Sequence, residues 1–541
     1  MSLQTIFSAM IAMATILIPA AVIAERPNIV VILVDDMGFS DIGNGSEIPT
    51  PHLDALAAGG VQFSQFYNTG RCCPTRASLL TGLYSHQAGI GWMTADQGEP
   101  GYRGGLNDSC VTIAEVLGDA GYFTAMTGKW HVGFEHGVTP WGRGFDRSMN
   151  LPAGGVHFWN QTGSKGNSKM FLNGESIASD DARLNPPWYA TDLFTQQGIG
   201  FIDESLAADQ PFFWYLAHTA PHFPCMAPEA TIAKYRGKFM KGWDRLREER
   251  YARQVEMGLI DASWKLEPRP ENIPAWDSLS ADEQKRYDDM MAIYAAMIEE
   301  IDTSVGKLVA ALKERQEFHN TLILFMSDNG GNAETGVAGK HEGDQPGDAH
   351  SNVFIGQCWA HLNNTPFRKY KHFNHEGGIA SPLIAHWPDA INPEAGGDRW
   401  ITEPTHLVDI MTTCVDVAQA KYPTEFNENA ITKAQGQSLR PLLTGKGEFA
   451  KRSLYWEHEG NAAIRTGDWK LVRFAGKPWE LFNLAVDRTE QNDLAQQQAD
   501  RVDEMSGQWE SWAKNSSVLP RPKAKKNAKR KGKQNNKADA A

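Results

Sequence analysis

The sequence predicts an α/β protein in which a large, mixed and mostly parallel sheet is sandwiched by helices and followed by a small C-terminal antiparallel sheet with a helix. Three observations support this fold class. Continuous apolar runs alternate with helical stretches over most of the chain, as expected for strands covered on both faces. After Leu443 the pattern changes to short alternating strands. The 541 residues, 41% of them hydrophobic, can bury a large core and should form more than one domain.

The first element is the run NIVVILV at 28–34, which suits a buried parallel strand. Thr50 and Pro51 then open a short helix that Gly59 closes, because Thr is a favourable cap and Pro fits the first turn. Further strands are predicted at 61–67, 122–126, 211–217, 321–326 and 381–387, and further helices after Pro74 and at 112–117. The charged, Arg-rich segment from 235 to about 259 is interpreted as a helical insertion lying over the sheet.

The C-terminal part contains four short strand patterns and then a helical one. They lie at 453–459, 462–467, 469–474, 480–484 and 500–513. The predicted organisation is a signal peptide at 1–24, a large N-terminal domain at 25–443, a small α+β subdomain at 444–515 and a basic disordered tail at 516–541.

The N-terminus resembles a secretory signal. Residues 6–18 are almost wholly apolar, and Pro19 and small residues up to Ala24 follow them, although no Lys or Arg precedes the run. A transmembrane anchor is the alternative, but Pro19 interrupts a run that is short for a membrane span. We therefore expect export to the periplasm or the medium, with no stable insertion in the membrane.

Charge and cysteine content exclude other classes. The formal charge is −13, and nine Lys or Arg residues against one Asp in 521–541 make the rest of the chain still more acidic. A broad nucleic-acid-binding face is therefore not expected. Six cysteines are too few for a disulfide-held fold, although an exported protein could form one or two bridges.

Two predicted strands end in oxygen-bearing side chains. Asp35 and Asp36 follow the first strand, and Asp328 and Asn329 follow the strand at 321–326. Ligand sites of parallel sheets gather at the carboxyl ends of strands, and four oxygen donors suit a hard cation such as Ca²⁺ or Mg²⁺. The alternative is that both pairs simply form turns, which Asp, Asn and Gly favour.

The segment from Cys72 to Arg76 has the features of an anion site. Cys72 is expected just before a helix that Pro74 begins, where free backbone N–H groups and the helix dipole favour negative charge. Arg76 adds a permanent cation with planar donors for tetrahedral oxyanions. A buried inert thiol is the alternative for Cys72.

The pattern C-x-P-x-R followed by T-G resembles the signature of type I sulfatases, in which this Cys is oxidised to formylglycine. The resemblance runs from about residue 26 to 513 and is strongest to bacterial arylsulfatases, which implies an alkaline-phosphatase-like fold. It also implies that a maturation enzyme generates formylglycine from Cys72. By this resemblance the metal ligands are Asp35, Asp36, Asp328, Asn329 and the modified residue 72, with Ca²⁺ preferred over Mg²⁺.

The same resemblance assigns the remaining site residues. The segment Gly128-Lys129-Trp130-His131 is similar to the family's G-K-W-H, and Ala220-Pro221-His222-Phe223-Pro224 to its A-P-H-x-P. Lys371 falls at the family's second substrate lysine. Taken alone, Lys129 could be a solvated lysine and His131 a packed histidine. His218 is not assigned to the site, and the sequence does not decide whether His136 and His375 belong to it.

The implied reaction is hydrolysis of an aryl or glycan sulfate ester. Hydrated formylglycine at position 72, polarised by the metal and Arg76, attacks sulfur while Lys129, Lys371 and the metal hold the peripheral oxygens. His222, with or without Lys371, is expected to protonate the leaving alcohol, and His131 to deprotonate the remaining hydroxyl so that sulfate is expelled. Two alternatives stay open: a phosphonate or phosphate ester hydrolase of the same superfamily, and a non-catalytic protein that binds sulfated glycan.

Overall fold

The computed structural model describes residues 26–152, 154, 158–160, 169–391 and 400–522. The predicted signal peptide and most of the predicted basic tail lie outside the described residues. The strands β1 to β19 span, in chain order, Asn28–Val34, Val61–Tyr67, Phe123–Lys129, Arg147–Leu151, Met170–Leu172, Glu175–Ile177, Phe212–Ala217, Thr321–Ser327, Lys340–Glu342, Asn352–Phe354, Ala380–His386, Trp400–Ile401, Thr405–His406, Glu425–Phe426, Asn429–Ala430, Ser453–His458, Asn461–Thr466, Trp469–Arg473 and Glu480–Asn483. The helices α1 to α12 span Pro51–Ala58, Cys72–Thr81, Ile113–Asp119, Ala190–Ala207, Glu229–Ile232, Gly242–Glu256, Ala281–Glu314, Gly356–Asn363, Glu376–Ile379, Val408–Val417, Arg440–Thr444 and Ala499–Asn515.

The main sheet is mixed and mostly parallel, which confirms the predicted fold class. Its strand order is β12-β2-β11-β8-β1-β7-β3-β4-β5-β6, and β13 also pairs with β2. Strand β1 is central and runs parallel to both β7 and β8. Strand β11 runs antiparallel to β2 and β8. The short edge strands β4, β5, β6, β12 and β13 were not among the predicted strands.

Helices cover both faces of this sheet, because successive side chains of β1 enter two different cores. Val30, Ile32 and Val34 pack with the long helix α7 and with α1 and α4 on one face. Ile29, Val31 and Leu33 pack on the other face with helices α2, α3 and α10. Such two-sided burial explains why β1 is a continuous apolar run.

The Arg-rich segment forms helix α6, which packs against helix α8 and the loop after β1. Two of its arginines are buried. Arg250 binds Asp41 and Glu47, and Arg247 donates to the carbonyl oxygens of Pro366 and Phe367. These arginines therefore brace the loops beside the first strand.

The C-terminal sheet has the order β16-β17-β18-β19 and is antiparallel throughout, as predicted. It packs between α12 and the main domain. Ala462, Ile464 and Leu471 face Trp509 of α12, whereas Trp456 and other residues of the opposite face pack against the main domain. Within the described residues, no helix has both the length and the apolar character needed to cross a membrane.

Candidate active site

The candidate site lies at the carboxyl end of the central strands. Strands β1 and β8 are parallel neighbours with Val34 opposite Ser327, so the residues that follow them lie side by side. The backbone N–H of Asp36 donates to Asp328 Oδ1 at 3.2 Å, and Asp36 itself has a φ of 71°. A left-handed conformation is costly for a residue other than glycine, and such strain is concentrated at functional sites.

Three cationic side chains lie among the carboxylates of Asp35, Asp36 and Asp328. Arg76 Nη2 is 2.9 Å from Asp328 Oδ2 and 3.4 Å from Asp35 Oδ2, and Lys129 Nζ contacts Asp35 Oδ2. Lys371 Nζ is 2.6 Å from Asp36 Oδ1. These side chains are essentially inaccessible to solvent, so the interpretation of Lys129 as a solvated lysine is wrong. The cluster therefore contains three cations and three acids.

The acids also retain binding capacity for a cation. Asp35 Oδ1 and Asn329 Oδ1 are buried and accept no hydrogen bond from the described residues. Burial, and after it the charge of Asp35, raises the pKa of Asp328 well above its usual value. A hard divalent cation would give these oxygens a partner and would reduce the repulsion between the carboxylates. The donor set therefore fits Ca²⁺ or Mg²⁺.

Cys72 is the first residue of helix α2, not a residue before the helix as predicted. The N–H of Thr75 donates to the carbonyl of Arg71 at 2.9 Å, so the helix begins two residues earlier than Pro74 suggested. Proline is tolerated within a first turn, because its missing N–H would have no partner there. Hydrogen bonds from Cys73 and His131 and the charge of Lys129 outweigh burial and hold the pKa of Cys72 well below its usual value.

His131 lies beside both sulfur atoms. Its Nε2 is 3.2 Å from Cys73 Sγ, while Nδ1 is buried without a hydrogen-bond partner among the described residues. Burial lowers the pKa of His131, which favours the neutral ring. The sequence did not point to Gly154, whose position against this ring leaves no room for a side chain: a Cβ there would lie 2.3 Å from His131 Cε1.

His222 and Lys371 approach Asp36 from other loops. The Nδ1–H group of His222 donates to the carbonyl of Phe223 at 2.6 Å, which turns Nε2 toward Asp36 Oδ2 at 3.5 Å. Burial lowers the pKa of His222, whereas Asp36 outweighs burial and raises the pKa of Lys371. The site therefore combines a ring that is neutral at pH 7 with a persistent cation.

The structure thus gathers every predicted site residue at one sheet edge. They are Asp35, Asp36, Cys72, Arg76, Lys129, His131, His222, Asp328, Asn329 and Lys371. Sequence reasoning missed Asn332, whose amide donates to Asp36 Oδ2; its place in the polar run after β8 was the available signal.

The histidines that were left aside lie outside this cluster. His218 Nε2 is 2.9 Å from Ser304 Oγ, and burial lowers its pKa to about 3, as for a core residue. His136 faces the carbonyl of Thr94, and His375 lies 3.4 Å from Glu480. All six cysteines are unpaired, so the disulfide bridges considered possible do not form.

Comparisons with known proteins agree with this geometry. A family model described as Sulfatase matches residues 27–420, and one described as N-sulphoglucosamine sulphohydrolase, C-terminal, matches residues 367–511. An uncharacterized sulfatase of Schizosaccharomyces pombe is 33% identical, over 92% of this chain and 95% of the relative. An arylsulfatase of Klebsiella aerogenes is 35% identical, over 67% of this chain and 81% of the relative. The crystal structure of Ps i-CgsB, a protein also solved with k-i-k-neocarrahexaose, matches with a TM-score of 0.67 and 25% identity over 92% of this chain and 98% of that one.

Proposed function

The chain belongs to the sulfatase family and hydrolyses sulfate esters, and we propose that it does so with formylglycine generated from Cys72 and a Ca²⁺ ion bound beside it. The observation that carries the proposal is the position of Cys72. It is the first residue of a helix, beside Lys129 and His131, and it lies next to a balanced cluster of three acids and three cations.

The charge balance supports a divalent cation. Asp35, Asp36, Asp328, Asn329 and the modified residue 72 would hold it, and its Lewis acidity would polarise the oxygens of residue 72 and of the sulfate. Because the three cations match the three acids in number, a bound dication would give the pocket a net positive charge. A pocket of this sign attracts a sulfate monoester, which carries one negative charge. Ca²⁺ is preferred to Mg²⁺ on the family resemblance.

Residue 72 supplies the nucleophile. An aldehyde hydrate there has two hydroxyls, one for attack at sulfur and one for the later release of sulfate, whereas a thiol has no second group. Arg76 and Lys129 are placed to hold the negative oxygens of the ester, since both are buried and permanently charged. Lys371 would contribute from the opposite side, beside Asp36.

The two histidines have separate positions and separate proposed roles. His131 lies next to residue 72, where a neutral ring can take the proton from the second hydroxyl. His222 lies on the other side of the acid cluster, with Nε2 free of the carbonyl that holds Nδ1. We assign His222, together with Lys371, to protonation of the leaving alcohol. Because the ring is neutral at pH 7, His222 must first take up a proton at Nε2, beside Asp36, whereas Lys371 already carries one.

The remaining expectations concern location, maturation and substrate. We propose export after removal of residues 1–24, action of a formylglycine-generating enzyme on Cys72, and an aryl or glycan sulfate as substrate. Residues 25–443 would form the catalytic domain and 444–515 the small subdomain. A glycan substrate is supported by the Ps i-CgsB complex, which contains a neocarrahexaose.

Mass spectrometry and kinetics together test the proposal. Protein produced with a formylglycine-generating enzyme should carry an aldehyde at position 72, because only Cys72 has Pro at +2 and Arg at +4. The aldehyde should remain in Cys73→Ser and be absent from Cys72→Ala, which should be inactive. An aryl sulfate should be cleaved faster than the matching phosphonate and phosphate esters. Full activity with an intact Cys72 thiol, or a preference for the phosphonate ester, would contradict the proposal.

A further inference from the structure

The C-terminal sheet reaches the opening of the candidate active site through one hairpin turn. Glu459 lies at the tip of this turn, between β16 and β17, with a φ of 51°. Its Oε2 is 3.2 Å from His372 Nδ1, and its Oε1 accepts a hydrogen bond from Trp92 Nε1 at 2.9 Å. Asn461, just after the tip, donates to the carbonyl of His372 at 3.1 Å. His372 directly follows Lys371, so the turn adjoins the proposed sulfate pocket.

Solvent exposure increases from Lys371 outward through these side chains. The exposed fraction of the side chain is 1% for Lys371, 12% for Arg71, 26% for His372, 28% for Glu334 and 37% for Glu459. Glu334 Oε2 is 3.8 Å from Lys371 Nζ, which joins the buried pocket to this outer ring. We call Arg71, Glu334, His372 and Glu459 the mouth cluster.

Both cations of the mouth cluster are already paired. Arg71 Nη1 lies 2.8 Å from Glu334 Oε1, and His372 lies between Glu334 and Glu459. Hydrogen bonds from His372 and Trp92 outweigh burial and lower the pKa of Glu459 to about 2, so its carboxylate is charged at neutral pH. The outermost group of the cluster is therefore an acceptor, and its two carboxylates match its two cations, so the cluster offers no net positive charge to a second anion.

We propose that the mouth cluster binds the alcohol part of the substrate, with the Glu459 carboxylate accepting hydrogen bonds from hydroxyls next to the sulfate ester. The preferred substrates are then hydroxylated, sugar-like monosulfates without a second anionic group near the ester. A carboxylate receives charge-assisted hydrogen bonds from hydroxyls and repels a neighbouring sulfate. This inference rests on the proposed function, since it concerns the leaving group of that reaction.

A metal site is the competing interpretation of the same residues. His372, His458 and Glu459 offer ligand atoms within 4.8 Å of one another. However, Arg71 Nη1 lies 3.3 Å from His372 Nδ1, and Lys371 is adjacent in sequence. A permanent cation as close as Arg71 disfavours a dication on His372, whereas it is compatible with an uncharged hydroxyl.

The test compares Glu459→Gln with wild type on three esters, using matured, Ca²⁺-loaded enzyme. The esters are 4-nitrophenyl sulfate, which has no hydroxyl, a monosulfated monosaccharide, and the same sugar with a second sulfate. Loss of a hydrogen bond to a charged group should lower kcat/KM for the monosulfated sugar about 10- to 100-fold. The rate on 4-nitrophenyl sulfate should change less than about threefold. Wild type should prefer the monosulfated to the disulfated sugar, and this preference should be smaller in Glu459→Gln.

Two further variants control for structural effects. Glu428→Gln changes an exposed glutamate that also has a positive φ in a hairpin turn, between β14 and β15, and should leave all three rates unchanged. Trp92→Phe keeps an aromatic ring but removes the donor to Glu459, so it should weaken sugar turnover in the same direction and less strongly.

Three outcomes would overturn the inference. One is an equal loss on the aryl ester and the sugar in Glu459→Gln. Another is a wild-type preference for the disulfated sugar. The third is a second divalent ion per chain, measured by elemental analysis, that Glu459→Gln loses. In each of these cases, turnover of 4-nitrophenyl sulfate by the wild type would still support the proposed function. If the wild type turned over no sulfate ester at all, the proposed function and the inference about the mouth cluster would both be overturned.

Discussion

Replacing Lys470 by Met should destabilise the protein and weaken catalysis, although Lys470 lies outside the site. Its Nζ is 2.8 Å from both Glu376 Oε1 and Glu490 Oε1, and all three side chains are inaccessible to solvent. Arg488 Nε also pairs with Glu376 at 2.8 Å. The substitution keeps the length of the side chain but leaves two buried carboxylates with one fewer cation. Removing one partner from a buried ionic cluster costs about 3–5 kcal/mol in the free energy of unfolding.

The loss should depend on pH. Burial raises the pKa of Glu490 to about 7, whereas Lys470 and Arg488 outweigh burial and hold the pKa of Glu376 at about 2. A raised carboxyl pKa means that the folded protein binds the proton more tightly, so Glu490 contributes less to stability as pH rises through 7. Without Lys470, ionisation of Glu490 costs the folded protein more stability, because its carboxylate has lost a cationic partner. The difference between variant and wild type should be larger at pH 8 than at pH 5.5, where Glu490 is protonated.

The catalytic effect follows from the position of Glu376. Its backbone N–H donates to Glu490 Oε2 at 2.9 Å, and it begins helix α9 five residues after Lys371. Without Lys470 the contacts that hold Glu376 weaken, and this should displace Lys371. The kcat/KM for an aryl sulfate should then fall about tenfold or more.

Thermal unfolding at both pH values and steady-state kinetics measure these effects. The midpoint should fall by several degrees at pH 8 and by less at pH 5.5. Lys477→Met, at an exposed position in the turn between β18 and β19, is the matched control and should behave as wild type. Equal midpoints for Lys470→Met and wild type at pH 8 would refute the reasoning. A loss that is larger at pH 5.5 would refute the assigned direction.

The remaining predictions concern the metal and the two histidines. Asp36→Ala removes a proposed ligand and the ion-pair partner of Lys371, so activity should fall by orders of magnitude; chelation should inactivate the wild type, and Ca²⁺ should restore it. Unchanged rates in metal-free wild type would show that no metal is needed. His131→Ala should release about one equivalent of phenol per site in a burst and then fail to release sulfate, whereas His222→Ala should slow the burst itself, most strongly for poor leaving groups. Absence of a burst in His131→Ala with fully converted residue 72 would mean that His131 serves another step.

Much of the fold could be predicted because buried parallel strands have a local pattern. The run at 28–34 is apolar at every position since both of its faces are covered, and the polar residues that follow mark its carboxyl end. Short edge strands such as β12 and β13 escaped prediction, because two residues carry no periodicity and their pairing with β2 depends on the tertiary structure.

The start of helix α2 shows a limit of local rules. Pro74 is a favoured first-turn residue, but it does not specify which position of the turn it occupies. The extended backbone of Arg71 and the hydrogen bond that its carbonyl accepts from Thr75 decided that Cys72 begins the helix. That backbone conformation depends on what Arg71 contacts, including Glu334 and Met93, which are distant in sequence.

The sequence by itself determined which residue types stand at the ends of β1, β3 and β8, and it placed Cys72 and Arg76 one turn apart. Only the tertiary structure decided which charges meet. Lys371 reaches Asp36 across more than 300 residues, and Glu459 of the C-terminal hairpin reaches His372. Periodicity encodes what a segment buries on its own, whereas ion pairs between loops depend on the register of a sheet assembled from distant strands. The buried site residues were therefore recognisable through motifs that resemble the sulfatase family, and no local pattern marked the residues around the mouth of the site.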